Sequence, residues 1–343
     1  MMQTTRRTFL RNGLILGAGA LIGAPAPRGA YAADTQTLVL YNGQHAKTTQ
    51  ALVAAFTKAS GIQVEIRKGS STQLANQIIE EGSRSPADVF YAEESPPVAA
   101  LAEKGLLTQL PAGTLQQVMP GYTAKDGSWT GVSARCRVTV FNRDMVKESE
   151  LPASIMDMAT QAWKGRVGFV PTSGSFQEQI IAIKLLKGRD AALSWLKGLK
   201  EYGRAYNGNM AAMRAVERGE VATGLVNNYY WFIVANEVGA DKMKSAIHYA
   251  GPKDPGGLIT VSAAGILKTG KNRAASEKLL AFMTSQAGQE AIVDTVAEYP
   301  LRPGVKSPFA LKPFADLNPP DVTPADLGDA ADALALRREA GLA

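Results

Sequence analysis

Two adjacent tyrosines, Tyr229 and Tyr230, lie where a predicted strand passes into a predicted helix. Residues 221–226 form a β-type run, and residues 230–238 have a helical pattern. Neighbouring side chains do not share a face within a strand or a helix, but the backbone turns where the two meet. Both phenols can therefore reach into the same space. The alternative is an aromatic cluster that packs against the start of the helix.

Polar side chains that could join the tyrosines follow three further predicted strands, at 37–41, 86–91 and 165–170. These side chains belong to His45, Glu93, Glu94, Thr172, Ser173 and Ser175. In open α/β sheets, ligands bind outside the carboxyl ends of the strands. Two such lobes facing each other would bring all four loops into one cleft. The alternative is that each residue has an ordinary structural role. His45 would then be a loop histidine, the acids would lie at the start of a helix, and the serine would cap a helix.

The combined donor set of this cleft is rich in oxygen and suits a hard cation. A free phenol has a pKa near ~10 and binds metals poorly at neutral pH, but a strongly charged ion lowers the pKa of its own ligands and expels the proton. Ferric iron does this most readily among common biological metals, so two adjacent phenols favour Fe³⁺ over Zn²⁺ or Ca²⁺. Zinc would recruit more histidine or cysteine, and the chain has only His45, His248 and Cys136. We interpret His248 as structural and Cys136 as a small buried hydrophobic residue.

The segment Thr-Ser-Gly-Ser at 172–175 opens a predicted helix. Free backbone N–H groups and the positive end of the helix dipole attract anions, and Gly174 allows close approach. Asn209 and Asn227 could add amide donors. An anion there would fill metal positions that the protein leaves open and help to balance charge. The alternative is an ordinary serine N-cap.

Strands and helices alternate from residue 37 onward, which is the signature of an α/β fold. The strongly β segment 135–141 begins a passage into a second lobe, and the β run 258–267 returns to the first. We therefore expect two lobes joined by a hinge of crossing strands. Arg135 and Arg137 share one face of the first crossing strand. We interpret them as hinge salt-bridge residues, and contact with an anion is the alternative.

The N-terminus has the features of an export signal. It contains a twin-arginine pattern at 5–10, a mostly apolar run at 13–26 and small residues at 30–32. The apolar run is shorter than the ~20 residues of a membrane-spanning helix. We predict a cleaved signal peptide at 1–32 and a periplasmic mature protein. Its removal takes away four arginines and no acid, which lowers the net charge from +6 to +2. No basic run with interleaved aromatics remains, so we expect no nucleic-acid partner.

These residues make the chain resemble the periplasmic ferric-iron-binding proteins, which are bacterial extracellular solute-binding proteins that serve ABC importers. The resemblance runs through most of the mature chain and is carried above all by Asn-Gly-Gln-His at 42–45 and Asn-Asn-Tyr-Tyr-Trp at 227–231. Further matching segments are 86–93, 172–174, 195–200 and 298–302. The resemblance implies a non-catalytic receptor with two α/β lobes that close over the metal as a clamshell.

The resemblance also implies a role for each part of the site and of the chain. The implied Fe³⁺ ligands are His45, Glu93, Tyr229 and Tyr230. The implied residues for a synergistic anion, usually phosphate, are Ser173, Gly174, Ser175, Asn209 and Asn227. The domains expected are one lobe at 33–135 and 262–312, a second lobe at 136–261, and a C-terminal wrap and helix at 313–343. The implied partners are an inner-membrane permease and its ATPase, with the protein itself a monomer.

One position departs from the family pattern. Where the best-known members have a glutamine that helps to hold the anion, this chain has Glu94. A carboxylate there would repel phosphate unless it is protonated or turned away, so carbonate or another small anion is the alternative. Within the same fold, the alternative function is binding of an organic solute, such as a polyamine or a phosphorylated compound. An enzyme that uses the Ser-Gly-Ser loop is disfavoured, because no Walker pattern, Ser-His-Asp order or nucleophile elbow is visible.

Overall fold

The computed structural model describes residues 37–343, and the signal peptide predicted at 1–32 lies outside them. The described residues form ten strands and eleven α-helices. The strands are β1 Leu38–Asn42, β2 Val64–Lys68, β3 Val89–Ala92, β4 Trp129–Asn142, β5 Val167–Phe169, β6 Arg204–Ala205, β7 Thr223–Asn227, β8 Ser245–His248, β9 Ile259–Ile266 and β10 Tyr299–Pro300. The helices are α1 Ala46–Ser60, α2 Ser71–Glu81, α3 Ser95–Glu103, α4 Ala112–Leu115, α5 Gly174–Lys187, α6 Arg189–Tyr202, α7 Asn209–Glu217, α8 Asn228–Val238, α9 Arg273–Met283, α10 Gln286–Val293 and α11 Ala331–Glu339.

The strands form one mixed sheet in the order β2-β1-β3-β9-β4-β7-β5-β6, with β8 and β10 paired to β4. β1 pairs in parallel with β2 and β3, and β5 pairs in parallel with β6 and β7. Between these two parallel groups lie β9 and β4, which pair antiparallel with each other and with their outer neighbours. This arrangement confirms the predicted α/β class.

β4 connects the two parallel groups. All 14 of its residues are buried, and it pairs with β9 as far as Cys136 and with β7 from Arg137 onward. The carboxyl ends of β3 and β7 lie on opposite sides of this change of partner. At the end of β3, Ala92 pairs with the middle of β9. At the end of β7, Asn227 pairs with Arg137, the residue at which β4 begins to pair with β7. The loops that follow both groups are therefore directed at the middle of β4.

Each parallel group has its own apolar packing. Leu52 and Phe56 of α1 are buried in a cluster with residues of β1, β3, α9 and α10. In the other group, Phe176 lies between Phe169 and Trp195, with ring centroids 5.6 and 5.3 Å away. Burying a side chain of this size contributes about 1.5–3 kcal/mol. In both groups, the loops at the carboxyl ends of the strands therefore extend from a well-packed core.

Two of the differences between predicted and observed element boundaries affect the elements that carry the candidate site. α8 begins at Asn228 rather than at Tyr230, because the extended Asn227 takes the N-cap position, so both tyrosines lie in the first turn. β4 begins at Trp129, well before the predicted start, because pairing with β9 extends it through a β-bulge after Gly131. Gly131 weakens the strand pattern that can be read from the local sequence, and pairing with β9, which lies far away in the chain, stabilises the strand there.

No helix within residues 37–343 is long and apolar enough to cross a bilayer. The described residues form one compact unit. The division into two lobes at the predicted boundaries therefore stays a prediction.

Candidate metal centre

The first turn of α8 is anchored on both sides. Asn228 is buried, and its side-chain oxygen accepts a hydrogen bond from the Cys136 backbone N–H at 3.0 Å, while its amide donates to the Ala297 carbonyl at 2.8 Å. These bonds join the helix start to β4 and to the loop before β10. Tyr229 and Tyr230 leave the backbone from this anchored turn, and their ring centroids lie 4.2 Å apart with planes inclined by 38°.

The structure brings together the four residues expected to bind iron. The Tyr229 hydroxyl donates a hydrogen bond to Glu93 Oε1 at 2.9 Å. His45 lies beside both, with its Nε2 atom 3.9 Å from Glu93 Oε1 and its ring edge-on to Tyr229 at 5.2 Å between centroids. The Tyr230 hydroxyl accepts a hydrogen bond from the Asn209 amide at 3.2 Å. Their assignment as ligands stays a prediction.

His45 and Glu93 meet because they follow neighbouring parallel strands. Asn42 at the end of β1 pairs with Tyr91 in β3, so both loops leave the sheet at the same edge. Glu93 is also held through its backbone N–H, which donates to the Ser71 hydroxyl at 2.9 Å at the start of α2. The placement expected from the two strand ends is therefore a direct result of their register.

Burial makes both phenols weak acids in the absence of a metal. Tyr229 is fully buried and Tyr230 is 9% exposed. Burial first, and then the negative charge of Glu93, raises the pKa of Tyr229 well above its ordinary value and the pKa of Tyr230 to about 12. Near neutral pH, displacing both protons requires a strongly charged cation.

A cavity of about 430 Å³ adjoins Glu93 and Tyr230. It is lined by every residue predicted to hold the anion, namely Ser173, Gly174, Ser175, Asn209 and Asn227. Ser173 caps α5, since its hydroxyl accepts a hydrogen bond from the Phe176 N–H at 3.3 Å. Gly174 allows a close approach, because a Cβ there would lie 2.6 Å from the carboxyl carbon of Glu94 and that side chain would have to move. The N-terminus of α5 therefore faces the cavity, as an anion site requires.

Arg137 orders part of this cavity. Its NH1 atom donates to Ser175 Oγ at 3.1 Å and to Asn227 Oδ1 at 3.2 Å, and its NH2 atom donates to Gln179 Oε1 at 3.2 Å. Burial lowers the pKa of Arg137 to about 10, which leaves it charged at neutral pH. The salt-bridge interpretation is wrong for Arg137, whose contacts within residues 37–343 are hydrogen bonds to neutral groups. It holds for Arg135, which lies within 4 Å of two carboxylates.

Glu178 is a cavity residue that the sequence analysis missed. It is fully buried in α5, accepts a hydrogen bond from the Ser95 hydroxyl at 3.4 Å, and burial raises its pKa to about 7. The sequence does contain a signal for this residue, since it is a glutamate among the apolar residues of α5 that are buried. For Glu94, burial and then the charges of Glu93 and Glu178 raise the pKa to about 8. A protonated Glu94 carboxyl would not repel phosphate.

Imidazole, thiol and carboxylate groups do not form a metal site by themselves in the described part of the chain. Among residues 37–343, no group of three or more His, Cys, Asp or Glu side chains could hold a metal ion. His248 lies on β8 with its Nδ1 atom 3.2 Å from Glu148, and Cys136 is buried, as expected for two structural residues.

Known proteins resemble this chain over most of its length. Residues 51–316 match the family described as bacterial extracellular solute-binding protein. Over 309 residues the chain is 44% identical to the major ferric iron-binding protein of Neisseria meningitidis serogroup A, which covers 89% of this chain and 93% of that protein. Over 316 residues it is 37% identical to the Fe(3+)-binding periplasmic protein of Serratia marcescens, which covers 92% and 93%.

Solved structures share the fold. Iron-bound HitA from Pseudomonas aeruginosa has a TM-score of 0.86 and 52% identity, covering 89% of this chain and 99% of that one. The Trichodesmium protein IdiA (FutA), in complex with iron and citrate, has a TM-score of 0.79 and 28% identity, covering 90% and 100%. These likenesses confirm the fold expected from the sequence, that of a periplasmic binding protein. The chain belongs to the bacterial extracellular solute-binding protein family.

Proposed function

We propose that this protein is the substrate-binding component of an ABC importer, and that it captures ferric iron outside the inner membrane and delivers it to a permease. The observation that carries the proposal is the convergence of His45, Glu93, Tyr229 and Tyr230 at one place, where both phenols are buried. The relatives named as ferric iron-binding proteins support the same cargo. Iron is the cargo of a non-catalytic receptor, not a cofactor for a reaction.

Each part of the site has a role in the proposal. Glu93 and the two phenolates supply three negative charges that balance Fe³⁺, and His45 supplies a neutral nitrogen. A synergistic anion, phosphate or carbonate, occupies the adjoining cavity and fills the remaining coordination positions. The residues that hold it are Ser173, Gly174, Ser175, Asn209 and Asn227.

The proposed architecture follows the connections of the sheet. One lobe is formed by 33–135 and 262–312, the other by 136–261, and 313–343 wraps around them. β4 and β9 join the lobes, which close over the iron. The mature protein, cleaved after residue 32, works as a monomer in the periplasm with an inner-membrane permease and its ATPase. The periplasmic relative from Serratia marcescens supports this compartment.

The direct test adds ferric nitrilotriacetate to the purified mature protein. Wild type should form a coloured complex through phenolate-to-iron charge transfer. In the double variant Tyr229→Phe/Tyr230→Phe the colour should disappear and the iron affinity should fall by more than about 100-fold, because losing charged ligands costs more than losing the outer partners that support them. Absorbance spectra and competition with the chelator measure both quantities.

Two further variants make the result specific. His45→Ala should weaken binding less, since water can replace one neutral ligand. Tyr122→Phe, the same change at a tyrosine that packs against Phe314 outside the site, should leave colour and affinity unchanged. Retained colour in the double variant would refute the tyrosine assignment. A colourless wild type that binds a polyamine or a phosphorylated compound would establish the organic-solute alternative.

A further inference from the structure

Arg135 is a buried positive charge beside the proposed iron ligands. It lies on β4 next to the change of pairing partner and is 1% exposed. Its NH2 atom lies 3.9 Å from Glu93 Oε1 and 3.7 Å from Glu298 Oε1. Neither terminal nitrogen has a hydrogen-bonding partner among the described residues. The guanidinium is therefore placed between one proposed ligand and one carboxylate outside the ligand set.

Glu298 is a fixed counter-charge on the other side of Arg135. It is fully buried, and its Oε2 atom accepts a hydrogen bond from the Ser133 hydroxyl at 2.5 Å. Ser133 lies on β4, two residues before Arg135, so the same strand carries the arginine and orients its counter-ion. Glu298 follows Ala297, whose carbonyl accepts the hydrogen bond of Asn228. The charge pair is thus attached to the element that positions the tyrosines.

The charges of the proposed ligands determine how a nearby positive charge changes the affinities for Fe³⁺ and Fe²⁺. Glu93 and two phenolates balance Fe³⁺, and with Fe²⁺ they leave one excess negative charge. A positive charge a few ångströms away repels Fe³⁺ more strongly than Fe²⁺, so it favours the ferrous complex relative to the ferric one whichever anion completes the site. Burial preserves this interaction, because salt screens buried charges much less than exposed ones. The carboxylate of Glu298 acts in the opposite direction.

We propose that Arg135 sets the oxidation-state preference of the site: it lowers the ratio of ferric to ferrous affinity, and Glu298 limits that reduction. The inference rests on the ferric-binding function proposed above. Arg135 acts through its charge on Glu93 and the phenolates, as a positioning residue and not as a ligand.

The test measures Fe³⁺ affinity by competition with nitrilotriacetate in air and Fe²⁺ affinity by competition with a ferrous-specific chelator under nitrogen, in one buffer. Arg135→Met removes the charge at similar length, and Arg135→Lys keeps it. Glu298→Gln removes the counter-charge at nearly constant shape. The double variant Arg135→Met/Glu298→Gln removes both buried charges, and it serves if an unpaired Glu298 prevents folding of Arg135→Met.

Opposite shifts are expected from the two partners. Arg135→Met should raise the Fe³⁺ to Fe²⁺ affinity ratio about tenfold, equivalent to about 59 mV for one electron. Glu298→Gln should lower it by a smaller factor, about fivefold, because Arg135 lies between Glu298 and the ligand Glu93. Arg135→Lys should stay within about threefold of wild type, because the charge is retained even though the fork geometry is lost. The double variant should lie between the two single variants.

A purely structural role predicts a different result. Both affinities would then change by the same factor in every variant, the ratio would stay constant, and the proposal would be overturned. Shifts of the same sign in Arg135→Met and Glu298→Gln would overturn it as well. A wild type that forms no coloured ferric complex would refute the proposed function itself, which keeps the two failures distinguishable.

Discussion

At the scale of single residues, the site keeps its two phenols protonated near neutral pH until a metal binds. The phenols of Tyr229 and Tyr230 are buried and raised in pKa. The carboxyl groups of Glu94 and Glu178 have pKa values raised to about 8 and about 7. The metal-free site therefore carries less negative charge than its residue types suggest. A trivalent ion that binds there exchanges its charge for protons.

This exchange predicts a steep pH dependence of iron affinity. Both phenols are protonated across the neutral range, so each Fe³⁺ bound should release two protons. The affinity should therefore fall as pH falls, approaching about 100-fold per pH unit. Competition titrations between about pH 5.5 and 7.5, corrected for the chelator's own protonation, measure the slope.

A single-tyrosine variant calibrates the slope. Tyr230→Phe removes one of the two protons, so the dependence should drop to about tenfold per pH unit. A slope that is the same in wild type and Tyr230→Phe would show that the Tyr230 proton is not released on binding.

At the scale of elements, the positions of the candidate site residues depend on the N-termini of two helices, α5 and α8. α5 starts with the Ser173 cap and Gly174, which lets the Glu94 carboxyl lie against the helix end. α8 starts with Asn228, whose two hydrogen bonds reach β4 and the loop before β10. A buried polar side chain that joins three segments fixes the angle at which the next residue leaves. Asn228 therefore positions Tyr229 and is not itself one of the proposed ligands.

Asn228→Ala should destabilise the metal-free protein by about 2–4 kcal/mol, because it leaves two buried backbone groups without hydrogen-bonding partners. Iron affinity should fall as well, since the first turn of α8 loses its anchors. Urea unfolding followed by circular dichroism measures the stability. Asn236→Ala is the matched control on the same helix, where the side chain is exposed. Equal stabilities for the two variants would contradict the anchoring role.

At the scale of the whole molecule, individual hydrogen bonds between described residues join the loops of the two parallel groups across the cavity. Tyr229 donates to Glu93 at 2.9 Å, and Ser95 donates to Glu178 at 3.4 Å. β4 and β9 run between the groups and pair with both of them. Bound iron would add bonds to ligands from both sides. This supports closure by a hinge at β4 and β9.

Iron loading should therefore make the protein more compact. Small-angle X-ray scattering should give a smaller radius of gyration for the iron-loaded protein than for the metal-free protein, because the ion favours the closed arrangement that it bridges. The Tyr229→Phe/Tyr230→Phe variant should show no such change when iron is added. Identical radii for the two states of wild type would contradict the hinge.

Local patterns in the chain account for most of the elements and for the kinds of residue in the site. The helix expected to open at 172–175 is α5, and the expected strands at 37–41 and 86–91 overlap β1 and β3. Such patterns are readable because caps, turn residues and apolar periodicity act over a few neighbouring residues. The preference for a hard cation could likewise be predicted from the two adjacent tyrosines, since it follows from the chemistry of their side chains.

By itself, then, the sequence determined the alternation of strands and helices, the oxygen-rich donor set and the strand ends that carry it. Only the tertiary structure decided that β4 changes partner between Cys136 and Arg137, which directs both sets of loops at one point. It also placed Glu178 in the cavity and Arg135 between two carboxylates. The reason is physical: pairing register, burial and the charges around a buried group depend on segments far apart in the chain, and no local pattern contains them.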